Sequence, residues 1–135
     1  MGMNKKIVVV EDDAVLLQTL ERMLSKSDFQ VFCAPDGEAG FELVKSEKPD
    51  IVISDMLLPK LHGLELCKKV KETPALRKVK VILMTAVYKG MRIKKELRDA
   101  MADDFLEKPI NAAELMIRVY KLYEEIAAEE EKSSS

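Results

Sequence analysis

Ile7-Val8-Val9-Val10-Glu11-Asp12-Asp13 decides the fold. Its first four residues are β-branched and run without a polar break. A half-solvated strand would alternate, so this run fits a short strand covered on both faces, as in a parallel sheet between helix layers. The period then changes. Between Ala14 and Ser25, Val15, Leu16, Leu20, Met23 and Leu24 recur at helical spacing. One strand followed at once by one helix is the unit that the rest of the chain repeats.

Residues 30–34 read as a second, weaker strand, punctuated by Pro35-Asp36-Gly37. Residues 38–46 read as a helix with Ala39, Phe41, Leu43 and Val44 on its apolar side. Pro49-Asp50 opens a third strand at Ile51 to Ser54, and Asp55 follows. A loop to Gly63 contains Pro59, and the third helix, Leu64 to Lys71, stops at Thr73-Pro74 because the residue before proline is pushed out of the helical region. Val79 to Met84 is a fourth strand, Gly90 to Met101 a fourth helix, Phe105-Leu106 a short fifth strand and Ala112 to about Glu129 a long fifth helix. Five such units imply an α/β fold with a doubly wound parallel sheet and helices on both faces. In the strand order 2-1-3-4-5, ligands bind outside the carboxyl ends of the strands, where the order reverses. Glu11 and Asp12 would stand there, with Asp55 beside them.

The chain has 135 residues, which suits one domain. Apolar residues make up 47% and charged residues 34%, so a packed core rather than disorder is expected. A net charge of -2 gives no support for a nucleic-acid-binding surface, although Lys68, Lys69, Lys71, Arg77, Lys78 and Lys80 crowd together. A solvated helix face and loop is the plainer reading of that basic run. Cys33 and Cys67 sit in apolar patterns and lack zinc-site spacing, so they read as small buried hydrophobes in a reducing compartment. The start reads as no signal peptide, and no run approaches the ~18 apolar residues of a membrane span, so a cytoplasmic location is expected.

Glu11, Asp12 and Asp55 would repel one another in one crevice unless a cation sat among them. Magnesium suits such a site, since it is hard, prefers oxygen and binds with one or two carboxylates plus a phosphate. The plainer reading is a solvated acidic turn capping the next helix, and both hold if Asp13 caps while its neighbours face the pocket. Thr85 and Lys108 close the fourth and fifth strands. Each alone reads as a turn residue or a solvated side chain, yet in this sheet they aim at the crevice of Asp55. There an ammonium and a hydroxyl would serve a phosphoryl group. The Lys108-Pro109 bond is a candidate cis peptide.

The chain resembles the receiver domain of bacterial two-component response regulators. The resemblance rests on Ile7 to Asp13, Asp50 to Pro59 read with Gly63, Met84-Thr85-Ala86 and Ala102 to Pro109. It covers about residues 4–127, leaving 128–135 as a polar tail or the start of a linker. It implies a flavodoxin-like fold and a phosphorylation switch rather than an enzyme with an external substrate. A sensor histidine kinase or phosphotransfer protein would donate a phosphoryl group to Asp55, with Mg2+ bound by Asp12, Asp55 and the Leu57 backbone carbonyl, and by Glu11 mostly through water. Lys108 and Thr85 would contact the phosphoryl group, and Phe105 would follow Thr85 inward or outward. That motion would change a face made by the fourth helix, fifth strand and fifth helix.

The departures are Leu58 where relatives often have Met, His62 where they have Asp or Asn, and Met101 where Gly is common. Met101 implies a less sharply turned approach to the fifth strand. The segment from Thr85 to Lys108 is about one residue longer than usual. Leu57 and Val87 are apolar neighbours of the pocket that would restrict water and prolong an acyl phosphate. The fifth helix carries two apolar stripes, Leu115, Val119, Leu122, Ile126 and Met116, Tyr120, Tyr123, Ala127. They serve core packing or, with Met91, Ile93 and Leu97, a homodimer or partner surface; an effector domain or partner protein would lie outside this chain. Three competing readings remain. A flavodoxin would need a hydroxyl- and glycine-rich loop where Glu11-Asp12-Asp13 stands. A phosphatase would need a second acid where Leu57 stands. A degenerate receiver acting only as an interaction module would not need the acceptor residues.

Overall fold

A computed structural model describes residues 5–86 and 91–134, apart from the side chains of 91–94 and 133–134. Val87 therefore lies outside the described residues, as do the side chains of Met91 and Ile93. The elements alternate as the periodicity requires: β1 (Lys6–Val10), α1 (Ala14–Lys26), β2 (Gln30–Ala34), α2 (Gly37–Glu47), β3 (Ile51–Asp55), α3 (Gly63–Glu72), a 3-10 turn (Pro74–Leu76), β4 (Lys80–Thr85), α4 (Met91–Asp99), β5 (Asp104–Glu107) and α5 (Ala112–Ser134). The five strands form a parallel sheet in the order β2-β1-β3-β4-β5.

The unbroken apolar runs are explained by the two layers they serve. Val8, Val10, Val52, Val81 and Leu83 pack with Val44 of α2, Leu66, Cys67 and Val70 of α3 and Leu97 of α4. The alternate residues Ile7, Val9, Ile51, Ile53, Ile82 and Met84 pack with Leu20 and Leu24 of α1 and Leu115, Val119 and Leu122 of α5. Every residue of the central strand β3 is buried. A polar residue inside these strands would face one layer or the other, so the acids can appear only where the strands end.

The structure corrects four details. The helix expected to stop near Glu129 runs on to Ser134, a 23-residue α5. One tie is an ion pair from Lys80 Nζ at the start of β4 to Glu129 Oε2, at 2.8 Å. Second, the basic run is not simply a solvated face. The Lys71 side chain is only 8% exposed, its ammonium donating at 2.7 Å to both the Val79 carbonyl and Asp103 Oδ2. Third, Val15 is 74% exposed and lies outside the packed face of α1. Fourth, Met101 does not soften the turn before β5. It takes the left-handed conformation itself, with φ 64°. Pro109 is preceded by a cis peptide bond.

Both cysteines are free thiols, Cys67 buried and Cys33 half-buried. Cys67 donates to the Ala100 carbonyl at 3.2 Å. Burial pushes its thiol up to about 12, and burial assisted by Glu21 pushes Cys33 up to about 11. Folding therefore favours the protonated thiols, and this contribution to stability fades as pH rises from the ordinary thiol value towards those higher ones. Both should react slowly with a disulfide reagent at pH 8 in the native state and fast in denaturant; fast native labelling of Cys67 would contradict the packing.

The left-handed region costs a residue with a Cβ about 1–2 kcal/mol, and glycine's extra freedom in the unfolded chain returns about half of that. Met101 is 60% exposed, so little burial is lost on truncation. Met101→Gly is expected to stabilise the fold by about 0.5–1 kcal/mol in urea denaturation. A net loss would show that the methionine packs more firmly than its exposure implies.

Candidate functional site

The carboxyl ends of β1, β3 and β5 bring three side chains into direct contact. The ladder between β1 and β2 continues one residue past β1, with Glu11 N donating to the Ala34 carbonyl at 3.1 Å. This holds the Glu11 side chain inward, 1% exposed. Its Oε2 accepts from Asp13 N at 3.0 Å, and its Oε1 accepts from Lys108 Nζ at 2.9 Å. Lys108 reaches the site from the end of β5 and also donates to Asp55 Oδ2 at 3.0 Å. The other carboxylate oxygen of Asp55 accepts from Leu57 N at 3.3 Å. One ammonium thus bridges the acids that end β1 and β3.

Asp12 completes the group. Ligand oxygens of Glu11, Asp12 and Asp55 all lie within 4.8 Å of one another, with Glu11 and Asp55 buried and Asp12 exposed. Asp13 does separate work as the N-cap of α1, accepting from Val15 N at 3.0 Å and Leu16 N at 3.3 Å. The acidic triplet is both a helix cap and a wall of the pocket, as its two readings allowed.

Burial is the largest influence on Glu11 and pushes its carboxyl upward. The Lys108 ammonium and the Asp13 amide oppose that, Asp55 adds to it, and the net direction is up. Burial alone would lower Lys108, but its hydrogen bonds to Glu11 and Asp55 prevail and hold the ammonium above the usual lysine range. Among the described residues the group holds three carboxyls, two of them bonded to the Lys108 ammonium. The donors are oxygens only, and Asp12 opens the group to water. That set fits a hard divalent cation that keeps part of its hydration, and among the described residues it has no nitrogen or sulfur to favour zinc or copper.

The other predicted residues are placed as follows. Thr85 ends β4 and is 7% exposed. Its carbonyl accepts from Lys108 N at 2.7 Å, which fixes the two residues side by side. Phe105 pairs with Leu83 across β4 and β5. Its ring is not in the carboxylate cluster; it stands 36% exposed at a crevice of about 360 Å³ lined by Leu97, Arg98, Ala102, Asp103 and Asp104. Leu57 is 71% exposed, and its backbone amide reaches Asp55.

Backbone supports of Asp55 were not recognised from sequence. Ser54 Oγ donates to the Asp55 carbonyl at 2.9 Å. Gly63 N donates to the Met56 carbonyl at 2.9 Å. A Cβ on Gly63 would fall 2.1 Å from the Asp55 carbonyl oxygen, so α3 can start here only with glycine. His62, at the N-cap of α3, makes no side-chain capping bond. Gly63 was legible as punctuation, but its tertiary contact was not.

A family model described as "Response regulator receiver domain" matches residues 7–120. The chain is 36% identical over 118 residues to the alkaline phosphatase synthesis transcriptional regulatory protein PhoP of Bacillus subtilis (strain 168), covering 87% of this chain and 48% of that protein. It therefore spans about half the length of this relative. Among solved structures, the N-terminal domain of an uncharacterized protein from Wolinella succinogenes superposes with TM-score 0.83 at 32% identity, covering 93% of this chain and 98% of that one. The signal receiver domain of a signal transduction histidine kinase from Syntrophus aciditrophicus superposes with TM-score 0.80 at 30% identity, covering 87% and 89%.

A cation that binds the folded carboxylate cluster and not the unfolded chain must stabilise the fold. At ten to a hundred times its Kd, Mg2+ would add about 1.4–2.7 kcal/mol. The thermal midpoint should rise in MgCl2 relative to NaCl of equal ionic strength, and Asp12→Asn should abolish most of the rise. Equal midpoints for the native chain in both salts would exclude a magnesium site.

Proposed function

Because the chain belongs to the response regulator receiver domains of two-component systems, we propose that it is a magnesium-dependent switch whose phosphoacceptor is Asp55. The observation that carries this reading is the Lys108 ammonium, 3.0 Å from Asp55 Oδ2 and 2.9 Å from Glu11 Oε1, with Asp12 in the same group. An acceptor carboxylate needs charge neutralisation around the incoming phosphoryl oxygens and little else from the protein.

In the proposed step an Asp55 carboxylate oxygen attacks phosphorus on a phosphohistidine of a sensor kinase or phosphotransfer protein. The P–O bond to Asp55 forms as the P–N bond to the donor imidazole breaks. Asp12, Asp55 and the Leu57 carbonyl would hold Mg2+, with Glu11 acting through water. When bound, Mg2+ supplies positive charge to the transferring oxygens. Lys108 turns from the free carboxylate to a phosphoryl oxygen, and Thr85, tied to Lys108 through the backbone, donates its hydroxyl. Phe105 then exchanges its half-exposed position for the crevice beside Leu97 as Thr85 moves. The new charge, with its three acceptor oxygens, is the bias that such a bistable element requires.

The same reading assigns residues 4–127 to the receiver and the rest to a tail or linker. Output would pass through the face of α4, β5 and α5, by homodimerisation or by contact with an effector domain or partner protein, without direct nucleic-acid binding by this domain. Among the described residues no helix is long and apolar enough to cross a membrane; the proposed site of action is the cytoplasm. External substrates are not turned over, since Leu57 stands where a hydrolase would place a second acid. Exposed Leu57 is the apolar neighbour proposed to slow hydrolysis of the acyl phosphate.

Incubation with a small acyl phosphate donor and Mg2+ should add one phosphate-sized mass to the intact protein. Asp55→Asn and omission of Mg2+ should each abolish it. A folded, magnesium-binding protein that gains no mass would instead be an interaction module.

A further inference from the structure

Residues 56–62 join Asp55 to α3 without regular secondary structure. They carry Leu57, whose amide touches the Asp55 carboxylate. Their outer side rests on the first turn of α2, whose residues take no part in the carboxylate cluster. Gly37 N points to the Pro59 carbonyl at 3.3 Å. Asp36 pairs with Lys60 Nζ at 3.7 Å through one oxygen and caps α2 through the other, accepting from Ala39 N at 2.8 Å. The closest approach is at Gly37. A Cβ there would fall 1.8 Å from the Leu61 carbonyl oxygen and 2.6 Å from the Leu61 carbonyl carbon.

Gly37 lies within α2, so its backbone conformation is open to any residue and does not explain the glycine. The space taken by the Leu61 backbone does. An added Cβ must move either α2, anchored by buried Val44, or the Leu61 backbone, which lies beyond the buried anchors Met56 and Leu58 in a loop that no helical hydrogen bonds hold; we take the loop to yield. Since the loop is short and ends at the Gly63 contact with Asp55, displacement at Leu61 is transmitted towards Leu57.

We infer that Gly37 is a positioning residue: the first turn of α2 buttresses the loop 56–62 and sets the place of the Leu57 backbone beside Asp55. The inference rests on the proposed role of that backbone in holding Mg2+, and extends the site to an element that contributes no ligand.

The test is Gly37→Ala, read by hydrogen exchange of the Leu57, Leu61 and Gly63 amides and by calorimetric Mg2+ titration. Support around metal ligands is worth about 10–100-fold in affinity, so Mg2+ should bind about tenfold more weakly, with faster exchange at all three amides. Val119→Ala, in the opposite layer, lowers stability without touching the loop and should leave both readouts within about twofold of the native protein. Should Gly37→Ala not fold, Asp36→Ala removes the cap and the Lys60 pair while keeping the glycine, and is read in the same way for several-fold effects. Unchanged exchange and affinity in the folded variant, or equal changes in Val119→Ala, would overturn the inference. Native protein that binds no Mg2+ would overturn the proposed function, while the exchange readout would still decide whether Gly37 places the loop.

Discussion

The Lys108 ammonium shared between Glu11 and Asp55 is the constraint on which the site depends. Glu11 is almost wholly buried, and a buried carboxylate without a partner is strongly disfavoured. Lys108 provides that partner, at the end of a strand separated from β1 by two others. The pairing is possible because the sheet is parallel and every strand delivers its last residue to the same edge. The two apolar layers hold that edge in place; the strand-end residues supply the chemistry.

Among the described residues, one cation against three carboxyl groups also leaves the site incomplete in charge. That imbalance, set in oxygen donors and open to water at Asp12, suits a hard divalent ion. It also gives Lys108 two alternatives. In this structure it serves the two carboxylates; under the proposed function a phosphoryl group on Asp55 would offer it a stronger acceptor. Thr85 is bound to the same backbone, and Phe105 stands two residues before Glu107, the register partner of Thr85. A change at Asp55 would thus have a short covalent and hydrogen-bonded route through Lys108 and Thr85 to Phe105.

Most of the architecture was legible because the strands are buried on both faces. Ile7-Val8-Val9-Val10 has one physical reading, and its acidic continuation can only lie at a strand end. The misses have a common cause, which is that tertiary contacts override local pattern. The last turns of α5 are polar and read as a tail or the start of a linker, yet Lys80 reaches across from β4 to Glu129. Lys71 reads as one of several surface lysines, but the Val79 carbonyl and Asp103 give it a buried seat. Met101 reads as a relaxed turn because methionine avoids left-handed backbone, whereas the approach to β5 imposes it. Gly37 and Gly63 read only as punctuation; what they make room for is backbone distant in sequence.

Asp55 is proposed to be the one residue that carries the phosphoryl group. Borohydride reduction converts an aspartyl phosphate to homoserine, so the acceptor can be located by peptide mass spectrometry after phosphorylation in Mg2+. Homoserine is expected at position 55 and at no other acid. Homoserine at Asp12 or elsewhere, or phosphate retained on a hydroxyl such as Thr85, would contradict it.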